Sequence, residues 1–108
     1  MANNFKNQFR SAVGTSPTVI YTAGAGVQST IIGMSIANVL TTPITIDVTV
    51  NSNAFIYYMV KDASIDPGSS LIPIGGDQKL VLEAGDYISV TSDTASSADV
   101  ILSLLEIS

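Results

Sequence analysis

The sequence predicts an all-β protein: an antiparallel β-sandwich, jelly-roll-like, with seven to eight strands. Apolar and polar residues alternate with a period of two in short runs, which is the pattern of half-buried strands. Turn-forming residues separate these runs at short intervals. No segment shows a helical period of useful length. With 108 residues, the chain is long enough for one hydrophobic core and too short for two.

The clearest strand runs from Ile44 to Asn51, with apolar residues at one set of alternate positions and polar residues at the other. This pattern is typical of an antiparallel strand with one face buried. Turn signals, such as those at residues 66–68 and 75–77, separate further strands. The other predicted strands cover residues 18–22, 29–38, 54–60, 71–74, 79–82, 87–91 and 99–107.

The strand at residues 54–60, AFIYYMV, follows a tight turn at 51–53 and is apolar or aromatic on both faces. The alternation predicts that one set of its side chains faces the core: Ile56, Tyr58 and Val60. The strand at 99–107 is also largely apolar on both faces. Because the second face of such a strand needs a partner, we predict a subunit interface from the outward residues of both strands: Phe55, Tyr57, Met59, Ile101, Leu105 and Ile107.

The first twelve residues differ from the rest in being polar, rich in Asn and without a clear period. We therefore predict an N-terminal arm over residues 1–12 and a sandwich domain over residues 13–108. The arm carries two of the four cationic residues, and all nine acidic residues lie at or after Asp47. This charge distribution predicts either docking onto an acidic neighbour or a short solvated terminus. The docking residues would be Phe5, Lys6, Phe9 and Arg10.

The composition favours a structural or binding role over catalysis. The chain has no His, Cys or Trp, so it lacks the usual neutral-pH base, nucleophilic thiol and soft metal ligands. Charged residues make up 12% of the chain, against about 25% in typical soluble domains. This low share, together with 46% hydrophobic residues, indicates a surface unusually rich in Ser, Thr, Asn and Gly, or burial of apolar area against other subunits, or both. We interpret it as favouring an oligomer or a component of a larger assembly. We predict no enzymatic activity and no cofactor.

The net charge of −5 disfavours nucleic acid and anionic membranes as partners. No apolar run approaches the length of a membrane span, and the N-terminus lacks the apolar segment of a secretory signal. The sequence therefore predicts a soluble protein made in the cytoplasm.

Two motifs resemble parts of enzyme sites without the rest of the site. Gly24-Ala25-Gly26 is similar to the start of a dinucleotide fingerprint, but no third glycine or helix follows it. Glu83 and Asp86 flank a turn in which Gly85 is free to adopt a positive φ. Because an acid/base pair needs one carboxyl in an apolar pocket, an ordinary turn explains these two residues better.

Two other groups bear on ligand binding. Asp62 with Asp66, or Asp93 with Asp99, offers oxygen ligands for calcium, although without the spacing of a known calcium loop. The aromatic residues near the middle of the chain offer a platform for sugar or peptide, or a surface buried against a second sheet or subunit. That platform comprises Phe55, Tyr57, Tyr58 and Met59.

The order of the strand motifs resembles a group of small virion proteins of tailed bacteriophages. The segments that carry the resemblance are TVIYTAGAGVQSTIIGMSIAN (18–38), YYMVKDASIDPGSSLIPIGGDQKLVLEAGDYISV (57–90) and ADVILSLLEI (98–107). The sequence departs from the group in having Gly24 in place of a usual Pro and Leu104 in place of a common Tyr.

The resemblance implies a non-enzymatic structural subunit located in the virion. A capsid decoration or cement protein fits the small size and the two-faced apolar strands. The implied partners are other copies of the chain, as a homotrimer, and the major capsid protein or another virion protein. The alternative is a neck, baseplate or fibre component, including a module that binds a host glycan.

Overall fold

In a computed structural model, the protein is an all-β sandwich; the structure describes residues 3–75 and 79–107. These residues form nine strands and no helix. The predicted fold class is therefore confirmed. The strands are β1 (Asn3–Val13), β2 (Thr18–Thr22), β3 (Gln28–Asn38), β4 (Ile44–Ser52), β5 (Phe55–Ile65), β6 (Ser70–Ile74), β7 (Leu80–Leu82), β8 (Tyr87–Ser92) and β9 (Ala98–Ile107).

The strands form two antiparallel sheets. The five-stranded sheet has the order β1-β9-β3-β6, with β7 also pairing with β3, and the four-stranded sheet has the order β2-β8-β4-β5. Because β6 and β7 both pair with β3, they act as two parts of one interrupted edge strand. The result is the strand order of an eight-stranded jelly roll.

The core lies between the two sheets and consists of aliphatic side chains from alternate strand positions. Ile44, Ile46 and Val48 of β4 are fully buried, as the alternation in that strand predicts. From the five-stranded sheet, Leu102 and Leu104 of β9 pack toward them with no exposed surface. No buried side-chain nitrogen or oxygen of the described residues lacks a hydrogen-bond partner.

Strand β1 is where the structure departs most from the sequence prediction. Residues 3–10 of the expected arm pair antiparallel with β9, from Asn3 opposite Ile107 to Arg10 opposite Val100. The same strand ends at Val13, opposite Ala98. The pattern of β1 is reversed relative to the other strands over most of its length, because its two phenylalanines point away from the sandwich and only Val13 at its end joins the core. Phe5 and Phe9 are exposed on the outer face, whereas the alternate positions are polar. The described part of the arm therefore belongs to the sandwich.

Strand β5 does not face the core as the simple alternation predicts. Val60 lies opposite Val48, but Tyr58 already lies opposite Thr49, so Met59 is the extra residue of a β-bulge. The bulge reverses the orientation of the preceding residues. As a result Tyr58 is 56% exposed, and the prediction that Ile56 and Tyr58 face the core is wrong. Met59, predicted to point outward, packs against the core instead.

The predicted turns that lie in described residues form largely as expected. The β4–β5 hairpin turns through Asn53 and Ala54, both with positive φ, as a two-residue type I′ turn requires. This turn lies later than the predicted 51–53, because β4 continues to Ser52. In the turn between β7 and β8, Gly85 has a φ of 90°. The predicted turn at residues 75–77 lies mostly outside the described residues.

Candidate functional site

The outer face of the five-stranded sheet carries a row of apolar side chains that crosses several strands. Phe5 of β1 lies opposite Leu105 of β9, which lies opposite Thr30 of β3, which in turn lies opposite Val81 of β7. Phe5 is 77% exposed. With about 4.8 Å between strands, the row extends about 14 Å across the sheet.

A second, shorter row runs parallel to the first. Phe9 lies opposite Ile101, and both side chains are at least half exposed. Together the two rows form what we call the apolar face: Phe5, Phe9, Val81, Ile101 and Leu105. Burying an exposed aromatic side chain gains about 2 kcal/mol of free energy. Packing of a partner against Phe5 and Phe9 would provide this gain.

The structure brings some predicted site residues together and separates others. It unites the two phenylalanines of the predicted arm with Ile101 and Leu105 on the apolar face, and Ile107 lies at the end of the same strand face. Phe55 and Tyr57 lie on β5 of the other sheet, where they are exposed near the hairpin turn. The predicted interface is therefore split between two sheets.

Lys6 and Arg10 point to the other side of β1, into a groove of about 530 Å³ between β1 and β2. Lys6 Nζ lies 3.0 Å from Glu106 Oε1, and Arg10 Nε donates a hydrogen bond of 3.3 Å to the Val19 carbonyl. Both cations are thus engaged within the chain. Their predicted role in docking stays a prediction.

A buried tyrosine links the two sheets beneath this groove. The Tyr21 hydroxyl donates to Glu106 Oε2 and lies 2.6 Å from the Ser29 hydroxyl. Burial, followed by the hydrogen bond with Glu106, raises the pKa of Tyr21 to about 12. The hydrogen bonds from Tyr21 and Lys6 lower the pKa of the Glu106 carboxyl. The ionised Glu106 carboxylate therefore connects Tyr21 of one sheet with Lys6 of the other.

Glu83 and Asp86 form hydrogen bonds with each other in the turn that the sequence predicts. The Glu83 amide donates to Asp86 Oδ2 at 3.0 Å, and the Asp86 amide donates to the Glu83 carbonyl at 2.9 Å. Gly24 and Gly26 belong to the β2–β3 turn, where the Val27 amide donates to the Gly24 carbonyl.

Of the acidic residues considered for calcium, Asp93 and Asp99 bond to backbone amides, and Asp62 Oδ2 lies 3.8 Å from Lys61 Nζ. Asp93 Oδ1 accepts from the Thr45 amide at 3.0 Å, and this bond lowers the pKa of Asp93. Asp99 Oδ1 accepts from the Ala12 amide at 3.1 Å. Within residues 3–75 and 79–107, no three potential metal-ligating side chains cluster. Nor does any helix in these ranges have the length and apolar character needed to cross a membrane.

The outer face of the four-stranded sheet holds a groove of about 340 Å³. A row across all four strands forms its centre, because Val19 lies opposite Ser89, Ser89 opposite Thr49, and Thr49 opposite Tyr58. We call this the sheet groove. It is lined by Pro17, Val19, Asp47, Thr49, Asn51, Ile56, Tyr58, Tyr87, Ser89 and Thr91.

Most of the sheet groove and one end of the apolar face were not predicted from the sequence. The outward direction of Asp47, Thr49 and Asn51 follows from the alternation in β4, but their neighbours depend on strand order and register. For Val81, the only local indication was its outward position in the predicted strand 79–82. The aromatic platform is divided, with only Tyr58 lining the groove.

The sequence matches no protein-family model and no curated protein. The fold, by contrast, is similar to solved structures of β proteins from large assemblies. One is a chain from Bacillus endospore appendages, described as a novel family of disulfide-linked pili. It has a TM-score of 0.58 and 14% identity over 99% of this chain and 87% of that one.

A second similar structure is a chain from the T13 IBDV viral particle, with a TM-score of 0.52 and 6% identity. The alignment covers 96% of this chain but only 35% of the viral one, so this chain spans about a third of its length. At these identities the likeness shows the fold, a β-sandwich also found in a pilus and a virus particle. This chain has no cysteine, so disulfide linkage has no counterpart here.

Proposed function

We propose that this chain is a non-enzymatic structural subunit of a virus particle, most specifically a decoration protein on the head of a tailed phage. The single observation that carries the proposal is the apolar face, where Phe5 and Phe9 stand exposed beside Ile101 and Leu105. A face of this kind on a protein with few charged residues is suited to contact with a partner surface.

Two further points support this role. The similar structures belong, by their descriptions, to a pilus and a virus particle, which are both assemblies of many subunits. The resemblance of residues 18–38, 57–90 and 98–107 to phage virion proteins points to the phage particle in particular.

The proposed partner of the apolar face is another copy of the chain, in a homotrimer that then binds the major capsid protein. The first row covers about 14 Å across the strands, and the five residues from Ile101 to Leu105 span about 14 Å along them. That area of about 200 Å² is well below the roughly 800 Å² per partner of a stable interface. The apolar face is therefore proposed as the centre of a larger contact.

The test compares two substitutions at equally exposed aromatic residues. Phe9 and Tyr57 are both 58% exposed, on different sheets, so an aspartate at either position leaves the core intact. We expect native mass spectrometry to show a trimer for the natural sequence and for Tyr57→Asp, and a monomer for Phe9→Asp. We expect at least about a tenfold weaker association for Phe9→Asp, as at the centre of an interface.

Other results have distinct meanings. Dissociation by both variants would place Tyr57 in the interface as well, as the sequence predicts. A monomer for the natural sequence at all concentrations, or a trimer unaffected by Phe9→Asp, would refute self-association through the apolar face. Binding of the trimer to empty phage heads, measured by cosedimentation, tests the decoration role separately.

A further inference from the structure

The sheet groove lies on the opposite side of the sandwich from the apolar face and has no part in the proposed assembly. Its floor comes from the central strands β4 and β8, where Asp47 lies opposite Thr91 and Asn51 opposite Tyr87. Its volume of about 340 Å³ is within the usual range of small-ligand sites, about 300–1,000 Å³.

The polar lining of the sheet groove suits a ligand with many hydroxyl groups. Thr49, Ser89 and Thr91 each contribute a hydroxyl that both donates and accepts, and Asn51 contributes an amide that does the same. Asp47 adds a carboxylate, whose Oδ1 already accepts from the Asp62 amide at 2.7 Å. The second carboxylate oxygen of Asp47 has no protein partner among the hydrogen bonds of the described residues, and it supplies a further acceptor.

The charge of the lining excludes one group of ligands. The residues that line the sheet groove include one carboxylate and no Lys or Arg. An anionic ligand such as a phosphate or a sialylated sugar would meet the Asp47 carboxylate with no cation in the lining to offset it. Lys61, which lies beside the groove, is already 3.8 Å from a counter-charge, Asp62 Oδ2. The lining therefore favours a neutral ligand.

One end of the sheet groove is aromatic and apolar. Tyr87 and Ile56 lie there on either side of Asn51, and Tyr58 lies in the neighbouring central row. Lys61 Nζ lies 4.8 Å from the centroid of the Tyr58 ring. This cation–π contact restricts the ring before a ligand binds. Tyrosine rings pack against the C–H faces of sugars while their hydroxyls bond to sugar hydroxyls, so the aromatic end complements the polar floor.

The backbone of the groove floor argues against a peptide strand as the ligand. β8 pairs with both β2 and β4, and β4 pairs with both β8 and β5. Their amides and carbonyls are therefore engaged in the sheet, and only side chains face the groove. A peptide that adds to a sheet needs an unpaired edge, which the floor does not offer.

We propose that the sheet groove binds a short neutral oligosaccharide, with Tyr58 and Tyr87 contacting sugar rings and Thr49, Ser89 and Asp47 bonding to sugar hydroxyls. Because the groove is open and its binding residues are few, we expect a dissociation constant of about 1 mM. On a multivalent particle, such weak sites add up to firm attachment.

The experiment is a titration of the isotopically labelled protein, followed by amide NMR signals. The probes are maltotriose, cellotriose and the trimer of N-acetylglucosamine, with sialyllactose as the anionic comparison. We expect at least one neutral probe to shift signals of groove residues selectively, and sialyllactose to leave them unchanged.

Adjacent tyrosines of β5 provide a matched pair of variants. Tyr58 lines the sheet groove and Tyr57 does not, although their exposed fractions are 56% and 58%. We expect Tyr58→Ala to weaken binding about tenfold or more and Tyr57→Ala to change it less than twofold. Thr49→Val, which keeps the side-chain volume, is expected to weaken it about threefold or more.

Four results would overturn the proposal. The first is that no probe shifts the groove signals at concentrations of about 10 mM, ten times the expected dissociation constant. The second is that Tyr57→Ala weakens binding as much as Tyr58→Ala, and the third is that sialyllactose binds as well as the neutral probes. The fourth is that the groove signals respond to protein concentration and not to sugar, which would make the sheet groove a contact between copies. The first three results leave the proposed role of the apolar face unchanged, and the fourth would add a second contact between copies.

Discussion

The outer faces of the two sheets are built on the same plan but carry opposite chemistry. On the five-stranded sheet, the row from β1 to β7 reads Phe5, Leu105, Thr30 and Val81. On the four-stranded sheet, the row from β2 to β5 reads Val19, Ser89, Thr49 and Tyr58. The first row is apolar at both edges and at β9, and the second has hydroxyls at its centre.

The difference shows what each face is suited to do. Apolar side chains gain from any close-packed surface that excludes water, so the apolar face suits a large protein partner. Hydroxyls and amides already bond well to water, and they favour a ligand only when it matches their geometry. The sheet groove therefore suits a small, polar ligand, while the shared core between the sheets serves both faces equally.

The largest expected effect is that of deleting residues 1–10. As a free arm, this segment would be dispensable for folding. In the structure, its removal breaks eight register pairs between β1 and β9 and exposes the edge of β9. We expect the free energy of unfolding to fall by about 4 kcal/mol or more, from lost hydrogen bonds and cross-strand pairs, in urea denaturation followed by circular dichroism.

The control for the deletion keeps the backbone of β1 and removes its apolar side chains. The double variant Phe5→Ser, Phe9→Ser is expected to lose less than about 1 kcal/mol, because both side chains are exposed. An unchanged unfolding midpoint after the deletion would contradict β1 as a structural strand and restore the interpretation as an arm.

The next prediction compares two neighbouring leucines of β9, one on each face of the strand. Leu104 is fully buried and Leu105 lies next to it on the outer face, only partly buried. We expect Leu104→Ala to cost about 2–5 kcal/mol through the cavity that it leaves. Leu105→Ala should cost less than about 1.5 kcal/mol in the monomer but weaken self-association. Equal losses in thermal unfolding would show that the apolar face is part of the core.

The smallest expected effect comes from removing the Tyr21 hydroxyl, which links the two sheets. Tyr21→Phe removes the hydroxyl that lies between Ser29 and Glu106 and leaves the fully buried Ser29 hydroxyl without this partner. We expect a loss of about 1–3 kcal/mol at neutral pH, measured by urea denaturation. A loss below about 0.5 kcal/mol would show that water replaces the tyrosine hydroxyl there.

The same variant has a signature at alkaline pH. Folding raises the pKa of Tyr21 from 10.0 to about 12, so the folded state holds this proton more tightly than the unfolded state. Its contribution to stability is complete below pH 10 and is lost as the pH rises toward 12. The stability of the natural protein should therefore fall more steeply over this range than that of Tyr21→Phe, and parallel curves would contradict the raised pKa.

The sequence predicted most strands because their alternation reports one buried face. Strand β4 is the clearest case, since Ile44, Ile46 and Val48 are buried as expected. Strand β1 was not predicted because its two phenylalanines face outward. Its inward positions include Lys6 and Arg10, which bond to Glu106 and to the Val19 carbonyl at the edge of the sandwich. Predicting such a strand requires knowledge of the edge that it joins, which is a tertiary property.

The candidate sites were harder to predict than the fold. The bulge at Met59 reverses the facing of Ile56 and Tyr58, and a shift of one residue exchanges the two faces of a strand. No local pattern in AFIYYMV signals this bulge. The apolar face and the sheet groove each combine residues from several strands, so they depend on strand order, which alternation does not contain.

The pairing of the first strand with the last has a consequence for how the chain reaches its native state. Asn3 lies opposite Ile107, so β1 cannot find its place until the final strand has been synthesised. Contacts between such distant segments slow folding, as in other all-β proteins that fold in milliseconds to seconds. During that interval β1 is a loose, partly apolar segment, and newly made copies held close together are at risk of pairing with each other before each chain closes its own sheet.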